Sequence, residues 1–267
     1  MFDIGLYLLT GIFAGLASGL LGIGGGIIIV PVLYFIFVSQ AIDQGQPAEY
    51  VMHMALATSL ATIVITSISS AYAHHKKKAV LWRIAYRLTP GILVGAWLGG
   101  IVASHLETTP LRYAFGFFEL LVALHLLLNH QLKQHSTSIN TIKSVLGGGI
   151  IGAVSAIVGI GGGTLTVPFL HWHKVSIKNA VATSAACGFP IAIAGTASYI
   201  YHGWQLPGLP EFSLGFVNLT AFIFIIITSF SMAPVGAKLA HHLPEDILRK
   251  VFAIFLLLIS LKMITDQ

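Results

Sequence analysis

Charge is what this chain has least of. Only 9% of its 267 residues are Asp, Glu, Lys or Arg, against about 25% in an average soluble domain, while 56% are hydrophobic. That balance excludes a water-soluble globule. Apolar runs at 51–73, 88–103, 111–128, 212–235 and 251–264 approach the ~20 residues that a membrane-crossing helix needs, so an all-α, polytopic integral membrane protein is expected. Cysteine is nearly absent. Cys187 alone supports neither an intrachain disulfide nor a cysteine metal site. No Lys or Arg precedes Lys76, so the N-terminus lacks the basic region of a cleaved signal peptide, and the first apolar segment is expected to remain in the mature protein. Catalytic signatures are missing as well. There is no H-E-x-x-H, no Ser-His-Asp set and no P-loop lysine. No cofactor, no metal and no nucleic-acid partner is expected. The formal charge of +5 sits in short loops between apolar segments, where it orients a chain in a bilayer.

Glycine, by contrast, is plentiful, and one glycine-rich stretch is written twice. Residues 11–31 read GIFAGLASGLLGIGGGIIIVP, and residues 148–168 read GGIIGAVSAIVGIGGGTLTVP. The shift from Pro31 to Pro168 is 137 residues, and 10 of the 21 positions are identical. Other matches extend the duplication. Residues 55–59 (ALATS) reappear as 180–184 (AVATS) at a shift of 125, and at 137 again Gly99, Ala103, His105 and Leu106 meet Gly236, Ala240, His242 and Leu243. Two repeats are therefore expected, 1–135 and 136–267, together forming one membrane domain.

Each repeat divides into five pieces. The first has apolar segments at 4–21, 27–38, 49–73, 84–104 and 111–128; the second has them at 144–158, 164–172, 178–201, 212–237 and 247–264. Corresponding loops carry opposite charge character. Lys76, Lys77, Lys78, Arg83 and Arg87 follow the third piece of the first repeat, and no basic residue follows its counterpart; Lys174 and Lys178 precede the third piece of the second repeat, and none precedes its counterpart. The positive-inside rule then places corresponding loops on opposite sides, giving inverted repeats. An inverted pair needs an odd number of crossings in each half. The second pieces, too short to span, would then form re-entrant hairpins with GIGGG at their tips. The alternative is a kink in a full span, with parallel repeats.

Consecutive glycines are poor helix formers, and broken backbone inside a membrane is tolerated where protein buries it or where it lines a cavity. A helix beginning just after the glycines would present free N–H groups and a positive dipole end to an anion. Gly24, Gly25, Gly26, Gly161, Gly162 and Gly163 are the candidate binding residues. Thr58, Ser59, Thr183 and Ser184, with Ser18 and Ser155, are candidate hydroxyl donors; interhelical glue is the other reading of these six. Gly11, Gly15 and Gly19, and Gly91, Gly95 and Gly99, are spaced for close helix packing. Glu119 is the one carboxylate deep in an apolar span. It is a candidate for proton coupling, or for local pairing with His125. The paired histidines, His74-His75, His171/His173 and His241-His242, lie in basic loops without a clustered acid.

The doubled G-x-x-S-x-h-h-G-I-G-G-G-x4-P (residues 15–31 and 152–168), the Ala-Thr-Ser at 57–59 and 182–184, and the His-basic turn at 74–78 resemble the sulfite exporter TauE/SafE family of bacterial anion permeases over nearly the whole chain. The resemblance implies a multi-pass protein of the inner membrane that exports sulfite, sulfoacetate or a similar small anion, with the lipid bilayer and that anion as its partners. It implies no oligomeric state. An ion-coupled transporter of another small anion or of a metal, and an intramembrane enzyme, are the alternatives.

Overall fold

The computed structural model describes residues 2–21, 24–44, 48–128, 140–204, 206–239 and 245–265. They form ten helices: α1 (Phe2–Leu21), α2 (Gly26–Gln44), α3 (Val51–Lys76), α4 (Trp82–Ser104), α5 (Thr108–Leu128), α6 (Thr141–Val158), α7 (Gly163–Trp172), α8 (Ile177–Gly203), α9 (Leu219–Leu239) and α10 (Glu245–Thr265). A two-residue β-hairpin, Ser213–Leu214 with Val217–Asn218, precedes α9. The apolar run 212–237 predicts helix through that stretch. Among the described residues seven helices are long and apolar enough to cross a membrane, and the all-α, polytopic expectation holds.

One length expectation needs correction. The apolar run 27–38 predicts a helix too short to span, yet α2 runs on to Gln44 for 19 residues, about 28 Å at 1.5 Å per residue. The polar residues Ser39, Gln40 and Gln44 ended the apolar run early, but they make no helix break. Its counterpart α7 has 10 residues and is indeed short, about 15 Å. Both helices fold back along the helix before them. Gln40 Nε2 at the end of α2 donates to Tyr7 Oη near the start of α1 at 3.0 Å, and the Phe169 ring of α7 lies against Gly147 of α6.

α3 and α8 form the centre. They are 83% and 72% buried over their spans, whereas α9 is 22% buried and shows Ile223, Ile227 and Phe230 outward, the lipid-facing side of an apolar helix. The two central helices run antiparallel, because Leu60 packs at Gly195 and Ser67 at Gly188. The small-residue faces do pack helices tightly. Gly91, Gly95 and Gly99 of α4 press on the carbonyls of Val145, Gly149 and Ala153 of α6, and Gly11 and Gly15 of α1 press on those of Ile225 and Ser229 of α9. The shift of 137 residues carries one interface onto the other. Gly148 on Leu88 O corresponds to Gly11 on Ile225 O, Gly152 on Ile92 O to Gly15 on Ser229 O, and Gly99 on Ala153 O to Gly236 on Leu16 O.

Following the helix senses through these contacts puts Lys76, Lys77, Lys78, Arg83, Arg87, Lys143, Lys174 and Lys178 at one end of the bundle. Asp43, Glu49, Glu107 and Glu211, with Arg112 and Lys262, lie toward the other. We call these the basic and acidic ends.

Candidate functional site

The glycine segments are where the backbone leaves the helix. α6 stops at Val158, and Gly159 caps it in the left-handed region (φ 69°); the Ile160 N–H reaches back to Ser155 O at 3.0 Å, as in a glycine-terminated helix. In the first segment Gly24 and Gly25 have φ of 84° and 73°, where a side chain would be strained. Gly22 and Ile23 lie outside the described residues. The two breaks meet. A Cβ on Gly24 would sit 3.4 Å from Gly161 Cα, and Gly26 packs on the Gly159 carbonyl and Ile63.

Beside this junction is a small cavity. It is lined by Ser18, Gly24, Gly161, Gly162 and Gly163, by Ile63, Thr66, Ser67 and Ser70 of α3, and by Ser184, Ala185 and Gly188 of α8. On both central helices the lining climbs from mid-helix toward the basic end. The space is about 20 Å³ for the centre of a water-sized group, room for about one water; a four-atom oxyanion needs the walls to loosen. Five lining residues carry hydroxyls and none is charged.

Three features set the electrostatics. The first N–H groups of any helix have no intrahelical partner, and the first N–H bonded into α7 is that of Thr166, to Gly162 O at 2.8 Å. Gly163, at the start of α7, lines the cavity. A helix start carries about +0.5 of an elementary charge. Ser184, fully buried, has an Oγ with no partner among the described residues, so a buried donor is available in a residue of the cavity wall. The arrangement suits a small group rich in acceptor oxygens, held without a basic side chain.

The candidates divide accordingly. Ser18, Gly24, Gly161, Gly162, Gly163 and Ser184 come together at the cavity. Gly25 packs on Ala14 and Gly26 on Gly159, so neither is among the lining residues, and one helix start rather than two faces the space. Thr58 and Thr183 lie elsewhere. Their Oγ1 atoms accept the N–H groups of Asn218 and Leu81, each at 3.0 Å, and so anchor the starts of α9 and α4. Ser59 Oγ donates to Gly159 O at 2.8 Å and holds the second break in place. Ser155 is buried with an unpartnered Oγ but does not line the cavity. Glu119 is fully buried on α5, both carboxyl oxygens without a partner among the described residues. The expected pairing with His125 does not form, since His125 is on the exposed face.

Thr66, Ser67, Ser70 and Gly188 were missed. The signal was present as four hydroxyls in residues 66–70, TSISS, but the equivalent stretch 191–195 reads IAIAG, so a search for doubled features passes over it. Of the paired histidines, His75 Nδ1 accepts from Trp82 Nε1 at 3.0 Å, His171 Nδ1 lies 3.3 Å from Val175 O, and His173 Nδ1 lies 2.8 Å from Phe169 O. Among the described residues no group of three or more His, Cys, Asp or Glu gathers. His241 and His242 lie outside the described residues.

The model of the sulfite exporter TauE/SafE family matches residues 7–263. A "Probable membrane transporter protein" of Haemophilus influenzae is 39% identical over 97% of this chain and 97% of its own. Another of that description, from Methanocaldococcus jannaschii, is 28% identical over 91% and 89%, and YunE of Bacillus subtilis is 30% identical over 74% and 78%. No solved structure matches.

Proposed function

The chain belongs to the sulfite exporter TauE/SafE family, and on that premise we propose that this multi-pass membrane transporter moves small sulfur oxyanions, sulfite or a short sulfonate such as sulfoacetate, out across the bacterial inner membrane. The observation that carries the reading is the uncharged, hydroxyl-lined cavity at the start of α7. Its donors and dipole end favour an anion, and a transporter that must release its cargo has reason to hold it without a lysine or arginine. Direction follows from the membrane potential. An inside-negative potential drives an anion outward with about 2.3 kcal/mol per charge per 100 mV, so export requires no coupling ion. The halves 1–135 and 136–267 act as inverted repeats about the antiparallel pair α3/α8, which supports alternating access to one central site. Binding and passage, not bond chemistry, are the protein's work.

The supporting experiment uses Gly188. A Cβ there would meet only ordinary contacts, Ser67 Cβ at 3.5 Å and Gly162 N at 3.9 Å, so packing does not demand glycine. Gly188→Ala should fold and melt as the parent does while its methyl occupies the cavity. Sulfite and sulfoacetate uptake into inside-out proteoliposomes should fall at least tenfold. Parent-like uptake would place the transport site elsewhere.

A second reading adds proton coupling, and Glu119 favours it. A fully buried carboxyl with no partner gives a membrane transporter a place for one exchangeable proton.

A further inference from the structure

The cavity is one-sided, although the residues that build it have equivalents on both sides. The relation between α3 and α8 maps Ile63 onto Gly188, Leu60 onto Ala185, Thr66 onto Ile191 and Ser70 onto Gly195. Toward the basic end the site has the small or hydroxylic member of each pair. Toward the acidic end, or at the junction, stand the bulky members Leu60, Ile63 and Ile191; the fourth acidic-side residue is Gly195. Leu60 fills the space over Gly195, its Cδ1 2.9 Å from where a Cβ would be, and Ile191 Cδ1 lies 2.9 Å from the same point on Gly162. Ile63 occupies the junction itself. Its side chain is 3.0 Å from the Cβ position of Gly26 and 3.3 Å from that of Gly161, it is 1% exposed, and it also lines the open cavity. Among the described residues it is the one large apolar side chain that lines the cavity, and it touches both backbone breaks.

The acidic end is sealed a second time. Phe216 stacks on His53 with ring centroids 5.0 Å apart and packs on Tyr50 and Tyr199, and Tyr199 Oη donates to Ala156 O at 3.2 Å. The equivalents of these four are Ala79, Lys178, Val175 and His74, which form no such ring cluster. Two layers thus close the acidic side of the junction, and the cavity lies on its basic side.

We propose that Ile63 shuts the acidic-side half of a two-sided site and sets the largest anion the site accepts. The inference rests on the transport reading above for its ligand, but its gating part stands on the packing alone. Passage toward the acidic end requires Ile63 and Leu60 to leave the junction. Ligand size is limited because Ile63 fills the half where Gly188 leaves room on the other side.

The test uses the full-length protein with Cys187→Ala and single thiols at two non-equivalent depths, Ser70→Cys in the open half and Ala192→Cys in the closed one. A small membrane-impermeant thiol reagent is applied from each face in turn. Ser70→Cys should react from the basic face alone, and Ala192→Cys from neither. Adding Ile63→Ala removes the packing that holds the closed half shut and should raise the reaction of Ala192→Cys at least tenfold. Protection of Ser70→Cys by sulfite and by the longer sulfoacetate reads the size limit: sulfoacetate should gain on sulfite in Ile63→Ala. Ile63→Val, a smaller truncation, should move both readouts the same way and serves if the alanine variant does not fold. The proposal is overturned if Ala192→Cys already reacts as fast as Ser70→Cys, or if both truncations leave its rate and the size order unchanged. If neither anion protects Ser70→Cys in any variant, the oxyanion reading and the size limit fall together, while the labelling rates still decide whether Ile63 is the gate.

Discussion

Ser59 and Ser184 are equivalent in sequence and opposite in circumstance, and the pair offers a sharp prediction. Ser59 Oγ donates to Gly159 O at 2.8 Å in a buried setting, whereas Ser184 Oγ, equally buried, has no partner and lies at the cavity wall. Ser59→Ala removes a bond and leaves a buried carbonyl short of a donor, which costs about 1–3 kcal/mol of stability. Ser184→Ala removes no bond, and it takes away an unsatisfied buried hydroxyl, so stability should be unchanged or slightly higher. Affinity should respond in the reverse sense. A hydrogen bond to a charged group is worth about 1.5–3 kcal/mol, so Ser184→Ala should weaken anion binding by about 10- to 150-fold at ~1.4 kcal/mol per decade. The assay pairs the apparent melting temperature in detergent with anion titration by calorimetry. The expected result is a lower melting temperature for Ser59→Ala alone and a lost or weakened binding isotherm for Ser184→Ala at the parent's melting temperature. Should Ser184→Ala melt well below the parent, or bind as the parent does, the claim that its hydroxyl is held free for the ligand is wrong.

Three further outcomes are expected. Gly95→Ala would drive a methyl into the Gly149 carbonyl of α6, an overpacking worth about 1–3 kcal/mol, and should lower the melting temperature without altering affinity in the fraction that folds. With Cys187→Ala and single thiols at Asp43, Lys77, Lys174 and Gly208, an impermeant reagent outside the cell should label positions 43 and 208 only; labelling of 174 from outside would end the inverted-repeat reading. Glu119→Gln should abolish the pH dependence of transport while leaving anion binding intact, and a pH profile identical to the parent's returns Glu119 to a structural role.

The duplication made much of this legible in one dimension. Apolar runs of spanning length, loops of opposed charge and the doubled GIGGG pointed to a polytopic helical protein with backbone breaks at two related places, because hydrocarbon forces backbone polar groups to be satisfied within helices and only glycine relieves the turns at Gly24, Gly25 and Gly159. Packing glycines were readable for a similar reason: spacing of four residues puts Gly91, Gly95 and Gly99 on one helix face. The length of α2 was not readable, since Ser39 and Gln40 look like a loop and yet continue the helix, Gln40 bonding Tyr7.

What the sequence by itself determined, then, is the membrane class, the family and the two glycine breaks. Only the tertiary structure decided which hydroxyls meet the cavity. Thr58, Ser59 and Thr183 carry the same doubled signature as Ser184, but their partners are backbone groups 100 or more residues away in the chain, and no local pattern reveals a long-range partner. The structure also decided that the site is one-sided. Symmetry in the sequence directs attention to what the halves share, while the cavity exists because Gly188 and Ala185 differ from Ile63 and Leu60, a difference in side-chain volume that acquires meaning only once α3 and α8 lie antiparallel against the two breaks.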